Sequence, residues 1–208
     1  RDPELHHPPA AQFQQVCVIQ GPEGPYPQAY FPQLSVLATR VPGTELGLVD
    51  EQGRRFSDSK RLEGTLPELL DGAVGFVKGN MHTALRIDPK TGKRSDFPEY
   101  PMDAVREIVL NALVHRDYSR YTETMPIQLI LFSDRLEVRN PGGLYGRLTL
   151  DQLGKMQPDT RNPFLVTAME AMGQTENRYS GIPRIYHAMA EAGLPAPVFQ
   201  NQRGSFSV

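Results

Sequence analysis

Between residues 102 and 115 the sequence MDAVREIVLNALVH places Met102, Val105, Ile108, Val109 and Ala112 three and four positions apart, which is the spacing of one apolar face on a helix. Two strand-like runs follow, "MPIQLILFSD" and "RLEVRN", and in the second Leu136 and Val138 alternate with Glu137 and Arg139. A helix with one apolar stripe and strands with one apolar side must cover each other. The expected fold class is therefore α+β, a two-layer α/β sandwich with a mainly antiparallel sheet, preceded by a smaller mixed α/β segment. The expected division is residues 1–98 for the mixed segment, packed on the rest, and 99–208 for the sandwich.

Punctuation along the chain supports that plan. Prolines crowd "GPEGPYPQAYFPQ", so residues 21–33 should be loop, flanked by strands over 12–19 and 34–40. Thr65 reads as the N-cap of a helix with Pro67 in its first turn, ending near Gly79 or Asn80. "HTALRID", "PKTGK" and "RSDFPEY" outline a hairpin. Beyond the central strands come a glycine-rich loop, "PGGLYGRL", a short helix capped by Thr149, and a helix over 162–172 beginning at Pro163. A last helix over 182–192 has Pro183 in its first turn and Gly193 closing it.

Composition narrows the function classes. A formal net charge of -2 gives no global reason to expect nucleic acid. The local basic cluster of Arg54, Arg55, Lys60 and Arg61 is either a DNA contact or, more commonly, a solvated edge. The single cysteine, Cys17, allows no internal disulfide and favours a reducing, cytoplasmic setting. No stretch approaches the roughly 20 apolar residues of a membrane helix. A chain that starts at Arg1 and stops on "GSFSV" reads as a piece of something longer.

The polar residues of the 102–115 helix raise the functional question. Asp103, Glu107, Asn111 and His115 stand four apart and form one stripe beside the apolar face. A carboxylate followed one turn later by a carboxamide suits a metal-assisted hydrolase, because the carboxylate accepts a proton from water and the amide oxygen is a hard ligand for Mg²⁺. By spacing alone, the stripe fits a solvated helix face as well. Two glycine segments follow: "NPGGLYG" leaves a strand and "YSGIPRI" enters a helix. Glycine lets backbone approach a ligand, and a helix start offers free N–H groups to phosphate. Each is also consistent with a plain turn or cap. His115, Arg116 and Asp117 end the helix, where they can cap carbonyls and fix a turn or else face phosphates or a partner chain.

Taken in order, Glu-x-x-x-Asn on a helix, a glycine loop after a strand and a second glycine segment before a helix resemble the ATP pocket of the gyrase, MutL and histidine-kinase superfamily. More closely, "AVREIVLNALVHRDYS", "IQLILFSDRLEVRNPGGL", "TRNPFLV" and "SGIPRIYHAMAEAGLPAPVF" resemble the RecG-related transcriptional regulators of bacteria, in which a Schlafen-type AlbA domain commonly precedes this region. The resemblance covers residues 60–208. It implies Glu107 as the base that orients water and Asn111 as the Mg²⁺ ligand. It places the first glycine loop on Asn140, Gly142 and Gly143 and the second on Ser180 and Gly181. ATP and Mg²⁺ are the implied cofactors, with slow hydrolysis coupled to a DNA-binding module outside this chain. The chain departs from the superfamily in carrying Asn140 or Pro141 where an Asp usually meets the adenine amino group, and in the short "ENRYSG" lid. The alternative is a non-catalytic interaction or homodimerisation module of the same fold. A motor helicase is not expected, because the chain lacks the G-x-x-x-x-G-K-[ST] phosphate loop.

Overall fold

A computed structural model describes residues 26–208 apart from 30, 88, 123, 157–158, 175–180 and 203. Cys17, the strand expected over 12–19 and Ser180 lie outside the described residues. Strand β1 (Val36–Arg40) pairs antiparallel with β2 (Asp58–Leu62), Val36 opposite Leu62. Helix α1 (Leu66–Asn80) starts after Thr65 as its capping pattern predicts: the Glu68 carboxylate accepts the Thr65 backbone N–H and hydroxyl, both at 2.8 Å. Strands β3 (Thr83–Ile87) and β4 (Arg94–Pro98) form the expected hairpin as a separate two-stranded sheet.

Helix α2 (Met102–His115) has the bounds its periodicity gives. It leads to β5 (Ile127–Leu131) and β6 (Leu136–Pro141), antiparallel with Leu129 opposite Val138. Helices α3 (Pro163–Ala171) and α4 (Gly181–Glu191) and the short strands β7 (Gln200–Gln202) and β8 (Ser205–Ser207) complete the described elements. The run after Thr149 makes only a 3₁₀ turn, Leu150–Gln152, because Gly154 takes a left-handed φ of 74° two residues later.

The larger sheet runs β2-β1-β5-β6-β8-β7, antiparallel except for the parallel pair β1 and β5. The fold is thus the expected mixed α/β arrangement with a mainly antiparallel sheet. Strands β1 and β2 precede residue 98 yet share this sheet with β5 and β6, so one sheet and one core run across that position.

Alternation in β5 shows how the layers form. Ile127, Leu129 and Leu131 point into the main core with Leu69, Leu70 and Val77 of α1 and Val105, Val109 and Leu113 of α2. Ile130 points the other way, into a small cluster with Val41 and Phe132. On β6, Glu137 holds Arg135 and Arg139 at 2.6 Å each, as its outward register requires. Of the basic residues suspected of a DNA contact, Arg54 pairs with Asp50 at 2.7 Å and Arg61 donates to the Pro32 carbonyl and the Ser35 hydroxyl. Among the described residues no helix is long and apolar enough to cross a membrane.

Candidate functional site

The polar stripe of α2 runs from solvent into the protein. Asp103 is exposed, whereas Glu107, Asn111 and His115 are partly covered and line a cavity of about 180 Å³. The Asn111 amide donates to Glu107 Oε1 at 3.1 Å, so its own carbonyl oxygen keeps its acceptor capacity. Burial pushes the Glu107 carboxyl above its ordinary range, opposed in part by the Arg184 and Arg106 charges and by the Asn111 hydrogen bond.

The same cavity is walled by Asn140, Gly142, Gly143 and Gly181, so the glycine-loop residues expected from the sequence that fall within the described region meet Glu107 and Asn111 there, while Arg116 and Asp117 do not line it. The connection is backbone-made: Asp117 N–H donates to the Pro141 carbonyl at 2.9 Å, bringing the glycine turn beside the end of α2. Gly142 has φ 94°, and a Cβ there would sit 2.5 Å from the Asp117 Cβ. Both strain and space demand glycine. We expect Gly142→Val to cost about 2–3 kcal/mol of stability and to weaken ligand binding at the cavity, read by a denaturant melt and a ligand titration. Gly181 makes a close approach of another kind: a Cβ there would meet Glu107 Oε1, the end of a flexible side chain, so a larger residue would have to displace the carboxylate from its place beside Asn111. Asn140 is buried on β6, and its Oδ1 has no hydrogen-bond partner among the described residues.

The three residues ending α2 take separate roles. His115 faces the cavity with Nδ1 3.5 Å from Thr160 Oγ1, and burial, helped by the Arg161 charge, lowers its pKa to about 4. It is neutral at pH 7. Because the folded pKa lies below the unfolded one, its contribution to stability is present above about pH 6.5 and is lost as pH falls toward 4. Replacing His115 by Gln should flatten that limb in urea titrations at pH 7.0, 5.5 and 4.5. Arg116 turns away from the cavity: its guanidinium donates to the carbonyls of Asp117, Gln33, Thr122 and Met125. Asp117 accepts the Ser119 N–H at 2.9 Å and fixes the turn. Asp117 thus fixes the turn as expected, whereas Arg116 reaches carbonyls outside α2 and ties the end of that helix to other segments.

Residues not singled out from the sequence complete the site. Arg161 Nη1 donates to the Gly143 carbonyl at 2.9 Å and its guanidinium lies 5.0 Å from the centre of the Tyr145 ring. Asn201 Oδ1 accepts the Leu144 N–H, and Asp159 accepts that of Arg147, so three side chains anchor the glycine loop. Asn162 precedes α3 but caps the end of α2, donating to the Val114 and Arg116 carbonyls at 2.9 and 2.7 Å. The segment "TRNPFLV" held this signal, since Asn before Pro reads as a helix start. Nothing local tells which helix the Asn serves.

Residues 124–208 match a family model described as "Putative ATP-dependent DNA helicase recG C-terminal". This part of the chain is similar to a RecG-related, ATPase-like region. The match takes in the glycine loop and α4 and leaves Glu107 and Asn111 outside it. The fold is similar to that of the DIP2311 protein from Corynebacterium diphtheriae, a crystal structure, with a TM-score of 0.70 and 22% identity. The similarity covers 85% of this chain but 35% of that one, so the chain spans about a third of that protein. No curated protein matches the sequence.

Proposed function

We propose that the cavity binds ATP with Mg²⁺ and hydrolyses it slowly, in a cytoplasmic bacterial regulator whose DNA-binding module lies outside this chain. The observation that carries the reading is that Glu107, Asn111, Asn140, Gly142, Gly143 and Gly181, drawn from three separated segments, line one cavity. The residues present fit such a ligand. Asn111 retains a hard oxygen, Asn140 offers a buried acceptor, and Gly142 and Gly143 add no side chain of their own to the cavity wall. Mg²⁺, when bound, supplies positive charge that neutralises the polyphosphate. Glu107 accepts the proton of the attacking water at its carboxylate, a task favoured by burial, which makes the carboxylate more basic than usual. The first N–H groups of α4, beside Glu107 and Asn111, present the positive end of the helix to phosphate. Ser180, just before them, remains an expectation of the resemblance.

Titration of the protein with labelled ATP and Mg²⁺ tests the reading. Saturable binding is expected, and no binding at millimolar nucleotide removes it. A second reading, a non-catalytic interaction or homodimerisation module of the same fold, is favoured by the closed contact at Glu107, whose Oε1 is held by Asn111 and pressed by Gly181. Binding without release of inorganic phosphate supports that second reading.

A further inference from the structure

Resting on the nucleotide reading, we infer that the base subsite of this cavity takes both 6-amino and 6-oxo purines, because its recognition group is the carboxamide of Asn140. Asn140 is 5% exposed, and no hydrogen bond to its Oδ1 exists among the described residues. Around it the cavity wall is apolar: Val138, Phe206 and Val208 line the same space, with Phe206 the register partner of Asn140 across the sheet. Phe199, also in the wall, stacks on Phe206 with ring centres 5.9 Å apart. Aromatic and aliphatic walls suit the faces of a flat heterocycle, and a polar group left unpaired among them selects a ligand by its edge.

A carboxamide presents one acceptor and one donor side by side, and a half-turn of the amide exchanges them. In one orientation Oδ1 accepts from a 6-amino group while Nδ2 donates to the unprotonated ring N1. In the other, Nδ2 donates to a 6-oxo oxygen while Oδ1 accepts from the ring N1–H. Each purine edge is therefore met by two hydrogen bonds. An acceptor-only carboxylate at the same place completes only one of the two bonds with either edge.

The test compares ATP and ITP, each with Mg²⁺, as competitors for the site on the unmodified protein and on Asn140→Leu, whose folding is checked by thermal melt. Expected are affinities within about tenfold of each other for the unmodified protein, and a loss of roughly tenfold for both nucleotides in Asn140→Leu. A preference above about a hundredfold for either nucleotide, or unchanged affinities in Asn140→Leu, overturns the inference while leaving the nucleotide reading intact. If neither triphosphate binds the unmodified protein, both fall. Should Asn140→Leu not fold, the ATP and ITP comparison on the unmodified protein decides alone.

Discussion

Glu107→Gln is expected to lower ATP turnover by roughly 10²–10⁴-fold, while nucleotide still binds and the protein melts no earlier than the parent. The two halves of that expectation share one cause. Burial raises the Glu107 carboxyl above its ordinary range, so the ionised form needed to take a proton from water is held at a cost in the folded state. The sign follows directly. With the folded pKa above the unfolded one, the stabilising contribution is that of the protonated group; it is complete at low pH and lost as pH rises through the folded value. Gln copies the size of the protonated acid and removes the charge, and the Asn111 amide still finds an oxygen acceptor at this position. Phosphate release and calorimetry on the same preparation check both halves. Basal turnover unchanged in Glu107→Gln would sink the catalytic assignment. In the parent, the acid limb of the rate profile should fall at a pH above the usual carboxylate value, because turnover requires ionised Glu107.

Arg116→Met should cost about 3 kcal/mol of stability, which lowers the melting temperature by roughly 6–12 °C in a chain of this size. The side chain is 2% exposed, and its guanidinium joins the end of α2 to the segments at Gln33, Thr122 and Met125. Methionine fills part of the volume but leaves several buried carbonyls without their donor, and that desolvation cost is the larger effect. Arg116→Lys recovers little, since one ammonium cannot reproduce a planar fork reaching several carbonyls. A melt that shifts by less than about 2 °C refutes this role. Nucleotide affinity per folded molecule should hardly move, because the guanidinium is turned from the cavity.

Much of the fold was legible where one segment carries its own signal. The bounds of α2 follow from its apolar spacing, those of α1 from Thr65 and Pro67 at its start and Gly79 and Asn80 at its end, and the hairpin from its turn residues. The hidden elements lacked such a signal. Strand β2, "DSKRL", has only Leu62 buried and lies at the sheet edge, so no apolar alternation marks it. Strand β7, "QNQ", is wholly exposed and exists through pairing with β8. Of the candidate site, Glu107, Asn111 and the glycine positions could be named from motif order, whereas Arg161, Asn162 and Asn201 could not, since each acts on a segment distant in sequence.

By itself the sequence determined the four α-helices described, the strands β5 and β6, and the four-residue spacing that puts Glu107, Asn111 and His115 on one side of α2, but not the 3₁₀ turn after Thr149. Those follow from local periodicity, which acts within a few residues. Only the tertiary structure decided that β1 lies parallel to β5, which carries one core across residue 98, and that the polar stripe becomes a cavity wall instead of a solvated face. The stripe alone fits either outcome. What settles it is the close approach of Gly181 to Glu107 and the seating of Gly142 against Asp117, long-range contacts that cover one side of a helix whose own sequence leaves it open.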